Sequence, residues 1–281
     1  MGTEPRATSS GLQRQFVSLV LRELWQALDW KCEDRMALDV GCGSGDFSAC
    51  DLLSRLPEDM VILATDSCPS AVSRAADKYD GTRLCFLELD IGAAHIEDTG
   101  VWRLAPFPKI FSFFSLHWVQ NQRVAFQNIN KLLSPGGEAV FIIISHSRLF
   151  TMYETMAKSP RWSTYMEEYL KYVTPYQELN NPEHHFAMLI KEVGLSVKTC
   201  RNQRDINYVS TDEQNIIDTV RSINPFVGRM PKDLRESFIR DCVREAYRNG
   251  TLRSRRLPCG SSYCFRYDAL VAHVVKPWLE G

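Results

Sequence analysis

Asp39 and the three glycines at alternate positions behind it, Gly41, Gly43 and Gly45, are the residues whose spacing first points to chemistry. They follow a short apolar run, Met36 to Val40, that reads as a buried strand, and they precede a helix-like stretch from Asp46. Glycine accepts positive φ and lets main chain approach a ligand closely. A strand, glycine turn and helix in succession therefore suit a nucleotide-like molecule lying on bare backbone. Asp39 adds a carboxylate where a cationic amino group of that molecule can be held. The nicotinamide fingerprint places glycine at the first, third and sixth positions. Here the sixth position is Asp46 and the third glycine comes one residue early.

These residues need elements that bring them to one edge. Leu12, Phe16, Leu19, Val20, Leu24 and Leu28 recur at helical spacing and predict an N-terminal helix within 9–30, after a disordered stretch 1–8. Residues 36–146 then alternate strand and helix. The strands are Met36 to Val40, Met60 to Ala64 running to Asp66, Leu84 to Leu89, Ile110 to Phe114, and Ala139 to Ser145; helices are expected near 46–56, 70–79 and 121–133. Such repeated units with short apolar strands imply a parallel sheet covered on both faces. Two further stretches, 147–182 and 211–256, read as helical cap insertions, and 195–208 and 262–275 as closing strands, the last antiparallel to the sixth. In open α/β sheets ligands bind outside the carboxyl ends of the strands. Both insertions join the sheet at that edge, so with the N-terminal helix they are expected to form a lid over the ligand within a single domain, 1–281.

Composition narrows the partners. The chain has 281 residues, 44% of them hydrophobic and 24% charged, and its 33 basic against 34 acidic residues leave a net charge of −1. That balance gives no argument for nucleic acid or a membrane surface, and neither a nucleic-acid partner nor stable membrane association is expected. Arg244, Arg248, Arg253, Arg255 and Arg256 cluster, but a solvated helix end accounts for them. The longest apolar run, Ala139 to Ile144, is too short to span a bilayer. Nine cysteines without a C-x-x-C pair, and no histidine at ligand spacing, predict free thiols, no metal and a cytoplasmic location.

Asp-x-Gly-x-Gly-x-Gly at 39–45 resembles motif I of the class I S-adenosylmethionine-dependent methyltransferases. Leu132-Leu133-Ser134-Pro135-Gly136-Gly137 resembles the turn that leads into their fifth strand. The resemblance implies an α/β fold, a Rossmann-like seven-stranded mostly parallel sheet with helical lid insertions. It implies S-adenosylmethionine as cofactor, leaving as S-adenosylhomocysteine. The cofactor contacts would be Asp39, Gly41, Gly43 and Gly45, then Asp66 with Ser67 on the ribose hydroxyls. Asp90 would meet the adenine amino group with Ile91 against the ring, and Ser115 and His117 would lie beside the sulfonium. A nicotinamide oxidoreductase remains the alternative at this point.

Longer stretches are similar to one branch, the juvenile hormone acid O-methyltransferases of arthropods. They are Leu38 to Gly45, Phe111-Ser112-Phe113-Phe114-Ser115-Leu116-His117-Trp118-Val119-Gln120, Arg161-Trp162-Ser163-Thr164-Tyr165-Met166 and Ile223-Asn224-Pro225-Phe226. Members methylate the carboxylate of farnesoic or juvenile hormone acid. The resemblance implies that a glutamine of the N-terminal helix and the tryptophan of the His-Trp pair orient that carboxylate. Here they would be Gln13, with Gln15 as competitor, and Trp118. Trp162, Tyr165, Met166, Tyr169, Tyr172, Val173 and Tyr176 recur largely on one helical face. With Phe226 they offer an apolar wall for an isoprenoid tail.

The chemistry of such a reaction is undemanding of bases. A carboxylic acid, with a reference pKa near ~4, is already an anion at neutral pH. Joining it to a cationic methyl donor cancels two charges, so a dry pocket favours the transition state. Two other acceptors stay open: an alcohol or amine deprotonated by His117, and no acceptor at all, in a protein that only binds the cofactor.

Overall fold

The computed structural model describes residues 10–31, 35–79, 83–257 and 260–278, so the expectation for 1–8 lies outside the described residues. The strands are β1 (Met36–Val40), β2 (Val61–Asp66), β3 (Leu84–Glu88), β4 (Phe107–Phe113), β5 (Leu133–His146), β6 (Ser196–Ser210), β7 (Leu252–Leu257) and β8 (Gly260–Val275). The helices are α1 (Ser10–Leu24), α2 (Pro69–Lys78), α3 (Gln122–Leu132), α4 (Arg148–Ala157), α5 (Pro182–Glu192), α6 (Glu213–Ile223) and α7 (Arg235–Arg248). The sheet runs β3-β2-β1-β4-β5-β8-β6, with β7 paired to β8. Pairs β1–β2, β2–β3, β1–β4 and β4–β5 are parallel. Chain order reverses between β1 and β4, which opens a crevice at their carboxyl ends.

The chain divides into two compact units. One comprises Gln13–Ile143, Leu179–Asn202 and Leu270–Gly281 and contains β1 to β4 whole. Its strands carry nearly continuous apolar runs because both faces are covered. Ala37, Leu38, Ile62, Leu63, Ala64, Ile110 and Phe111 are all buried. On α1 the buried face is Val17, Val20, Leu21 and Leu24, continued by Leu28, at i, i+3, i+4 and i+7. Leu19, expected on that face, is 57% exposed. The other unit comprises Met1–Leu12, Ile144–Glu178 and Gln203–Ala269 and contains α4, α6, α7 and β7. Its core is aromatic: Tyr153 and Tyr172 each meet Phe226 edge-on at 5.3 and 5.1 Å, and Trp162 meets Phe238 at 5.1 Å.

Three elements differ from the sequence expectation. The stretch expected as a helix near 46–56 contains a π-turn, Ser48–Leu52, closed by the Leu53 N–H donating to the Ser48 carbonyl at 2.9 Å. The aromatic stripe 162–176 is built on two short 3₁₀ turns, Ser163–Tyr165 and Tyr169–Tyr172, because Pro160 stops any continuation of α4. The arginine-rich stretch after α7 is a strand. Gly250, at φ +77°, ends the helix, and Leu252 to Leu257 then pairs antiparallel with Gly260 to Phe265. The sheet therefore has eight strands where seven were expected.

At the amino ends of β4 and β5 a buried ionic cluster ties in the segment after α1. Lys109 Nζ donates to the Asp29 carbonyl at 2.6 Å and lies 3.4 Å from Glu138 Oε2. That oxygen also accepts the Asp29 N–H at 2.7 Å, and Oε1 lies 2.9 Å from His273 Nε2. Burial pushes the Glu138 carboxyl up, but His273, the Asp29 N–H and the Lys109 charge outweigh it and hold it below the usual range. Its contribution to stability is therefore present above the ordinary carboxylate pKa and lost as pH falls through the lowered one. Lys109→Met, which strands the Glu138 charge, is expected to cost about 3 kcal/mol in urea unfolding at pH 7. The loss should shrink in acid.

Candidate active site at the carboxyl edge of the sheet

The glycine turn after β1 uses its three glycines for three different reasons. Gly41 has φ +85°, and its N–H and that of Cys42 both donate to the Thr65 carbonyl, at 2.7 and 2.8 Å. A Cβ at Gly41 would stand 1.8 Å from Ser115 Oγ, so glycine there lets the turn after β4 pack directly on the turn after β1. A Cβ at Gly45 would crowd Phe86 and Ala75 at 3.0 and 3.1 Å, so glycine there seats β3 and α2. Gly43, at φ +57°, would meet nothing within 4 Å. Its bare main chain faces open space.

Around that bare stretch stand carboxylates. Asp39 is buried at the end of β1, and its Oδ2 accepts the Ser48 hydroxyl at 2.6 Å. Among the described residues it has no ion-pair partner. Burial pushes its carboxyl up to about 6 against the Ser48 hydrogen bond, and the Asp66 charge adds to the rise. Asp66 fixes the turn to the start of α2, its two oxygens accepting the N–H groups of Gly43 and Cys68, each at 2.9 Å. Asp46 accepts from Ser44 Oγ at 2.8 Å and from Lys78 and Tyr79, which fasten the turn to the far end of α2. Ser67 is exposed beside Asp66. After β3, Asp90 is exposed with Oδ1 accepting the Gly92 N–H at 2.8 Å, and Ile91 is buried.

The turn after β4 supplies nitrogen. Phe114 sits at φ +53°, a strained conformation for an aromatic residue, held by its N–H to the Ile142 carbonyl at 2.8 Å. The Gln122 amide donates to the carbonyls of Leu116 and Val119, at 2.8 and 2.6 Å, and so clamps the 3₁₀ turn Leu116–Trp118. Within it the rings of His117 and Trp118 lie 4.5 Å apart. His117 is 1% exposed, its Nδ1 has no hydrogen-bond partner, and burial holds its pKa down at about 3. Helix α1 is pinned nearby by Phe16 against Phe114, at 6.3 Å, and by Arg14 paired with Asp51 at 2.6 Å. Gln13 is half-buried, on the face of Phe16 and Val17; Gln15 is exposed, on the face of Leu19.

One unit thus holds Gln13, Asp39, the three glycines, Asp66, Ser115, His117 and Trp118. The other holds the expected wall residues. There Trp162, Met166 and Phe226 are buried, Tyr165 and Tyr169 half-buried, and the Trp162 indole N–H donates to Asp241 at 3.1 Å. Ser48, Gln122 and Phe114 escaped the sequence reading. A serine next to Phe47, on a stretch otherwise read as amphipathic helix, was the only hint of the first.

Comparison with known proteins agrees with this geometry. Residues 38–139 match the family model of a methyltransferase domain. The fold is that of the YcgJ protein from Bacillus subtilis, with a TM-score of 0.57 at 14% identity over 94% of this chain and 99% of that one. It is also that of the phosphoethanolamine N-methyltransferase 2 of Haemonchus contortus solved with S-adenosyl-L-methionine, at 0.51 and 13%, covering 93% and 52%. Sheet order, glycine turn and acidic strand ends define a class I S-adenosylmethionine-dependent methyltransferase. In sequence the chain is 30% identical to the juvenile hormone acid O-methyltransferase of Drosophila melanogaster over 83% of this chain and 78% of that one. It is 28% identical to the Bombyx mori enzyme of that name over 84% and 82%. The chain belongs to the juvenile hormone acid O-methyltransferase family. No helix among the described residues is long and apolar enough to cross a membrane.

The residues present fit that cofactor. The open space above Gly43 leaves room for it, and the Asp39 carboxylate, without an ion-pair partner among the described residues, suits a molecule that carries an ammonium and a sulfonium. Gly43→Ala is expected to fold, with about 1–2 kcal/mol of left-handed strain, yet to lose most cofactor affinity by calorimetry. Gly41→Ala should instead lose thermal stability through its collision with Ser115.

Proposed function

We propose that the protein esterifies the carboxylate of a lipophilic, farnesoid-type acid. The observation that carries this reading is the buried His117, held neutral at every working pH beside Trp118. An alcohol or a protonated amine acceptor must give up a proton, which so weakly basic a His117 is ill suited to take, whereas a carboxylate arrives already ionised. The names of the two insect relatives support the acid class. When bound, S-adenosylmethionine supplies a methyl group on a positively charged sulphur, which the carboxylate oxygen takes.

This chain's residues do the rest. Asp39 neutralises the cofactor's ammonium, Gly43 presents bare backbone, and the remaining lone pairs of Asp66 accept ribose hydroxyls. Asp90 and Ile91 hold the adenine, with Ser67, Gly41, Gly45 and Ser115 shaping the turns around it. Gln13 and Trp118 donate neutral hydrogen bonds to the acid, which orient it without competing as counter-ions. In the other unit, Trp162, Tyr165, Met166, Tyr169 and Phe226 offer apolar surface of the kind that suits isoprenoid chains. The near-zero net charge favours a small-molecule over a nucleic-acid partner, and the seven described cysteines, all free, suit the cytosol.

Labelled S-adenosylmethionine with farnesoid acids is expected to yield a base-labile methyl ester; cofactor binding without ester would overturn the reading. Turnover should be flat from pH 6 to 9. Below about pH 6 the free protein's Asp39 gains a proton that binding must expel, so kcat/KM for the cofactor should fall nearly tenfold per unit. A profile rising through pH 7 would instead indicate a titrating base. Gln13→Ala should lower kcat/KM for the acid roughly tenfold to a hundredfold, the value of a hydrogen bond to a charged group. Gln15→Ala, on the exposed face, should change it less than threefold.

A further inference from the structure

We propose that His117 Nδ1–H is a further donor to the acceptor's carboxylate, so that His117 and Trp118 grip it from one 3₁₀ turn. This rests on the carboxylate reading above. A buried polar atom without a partner costs about 1–3 kcal/mol, and Nδ1 of His117 is such an atom. Gln122 locks the carbonyls on either side of His117, and the Trp118 ring lies against the imidazole at 4.5 Å. Ser115, two residues earlier, packs on Gly41, which places the turn at the switch-point crevice. The chemistry of the atom selects its ligand. A neutral imidazole N–H is satisfied by an oxygen, and an anionic oxygen makes the stronger bond. The cofactor's sulphur and methyl offer none. The cofactor's ribose oxygens are neutral and proposed to lie at Asp66, which leaves two carboxylates, the acceptor's and that of the cofactor's own amino-acid end; the latter is drawn with its ammonium toward Asp39, at the end of β1.

Protein labelled with ¹⁵N-histidine tests this, the His117 signals being those absent from His117→Phe among the chain's six histidines. Saturation with S-adenosylhomocysteine should leave Nδ1 nearly unmoved, and addition of a farnesoid acid should shift it and protect its proton from exchange. In kinetics His117→Phe should raise KM for the acid about tenfold with unchanged cofactor affinity. His117→Asn, whose amide sits where Nδ1 was, should recover most of that loss, and His117→Gln, which extends toward Nε2, should not. A Nδ1 shift complete with S-adenosylhomocysteine alone would assign the atom to the cofactor and overturn the proposal. So would no shift when calorimetry shows acid bound. If neither acid binding nor ester is detected in the wild-type protein, the carboxylate reading itself fails.

Discussion

A carboxylate with no cationic partner among the described residues lies beneath the glycine turn, and much of the surrounding structure follows from it. Asp39 is buried, and Ser48, the side-chain partner of its carboxylate among the described residues, is neutral. The nearby charge that acts on it, that of Asp66, is of the same sign. Removing an ion from water without a counter-ion is among the most expensive acts in folding. The protein tolerates it halfway, with a pKa raised to about 6, so that near neutrality the group is poised to take up a positive ligand. Binding a cation here relieves an existing cost. The π-turn has its reason in the same place: it sets the Ser48 hydroxyl within 2.6 Å of Asp39 while the turn stays attached to Gly45.

The order of the sheet decides where that tension is felt. Because β1 has β2 on one side and β4 on the other, the turns that follow β1 and β4 diverge above a common edge. They still touch at one point, Gly41 against Ser115, where no larger residue fits. That contact fixes the distance between the acidic side of the crevice, built on β1 and β2, and its nitrogen-bearing side, built on β4. Phe114 is the visible strain of the arrangement, an aromatic residue held at positive φ where the chain leaves the sheet. Its ring meets Phe16 of α1, so the same residue that bends the chain also docks the helix carrying Gln13.

Much of this was legible in the residues themselves. The parallel core could be read because its strands carry nearly continuous apolar runs, and the glycine turn because no other residue type serves at Gly41. What escaped has physical reasons. Ser48 sits at a position that helical periodicity treats as neutral, and its worth depends on a bond to a strand nine residues back. The stripe 162–176 has the period of a helix, yet Pro160 and local turns let the same side chains pack from 3₁₀ geometry. Strand β7 is charged on both faces, as an edge strand tolerates, so alternation gave no signal. Which of Gln13 and Gln15 lies on the buried side of α1 was hard to read because Leu19 is apolar yet exposed.

The absence of strong cations among the proposed carboxylate-holding groups has a consequence for rate. An arginine would bind the acid tightly, but the negative charge it binds disappears as the ester forms, so the interaction would be strongest in the ground state. Such binding raises affinity while working against the chemical step. Neutral N–H donors lose less as the charge fades and still aim the oxygen. His117 meets this requirement only because burial suppresses its protonation: a charged imidazolium in its place would act as the arginine would. Depression of the His117 pKa and elevation of the Asp39 pKa are then two sides of one design. On the proposed reading, the strong charges that meet in the crevice are those of the two reactants and of the carboxylates proposed to steer the cofactor.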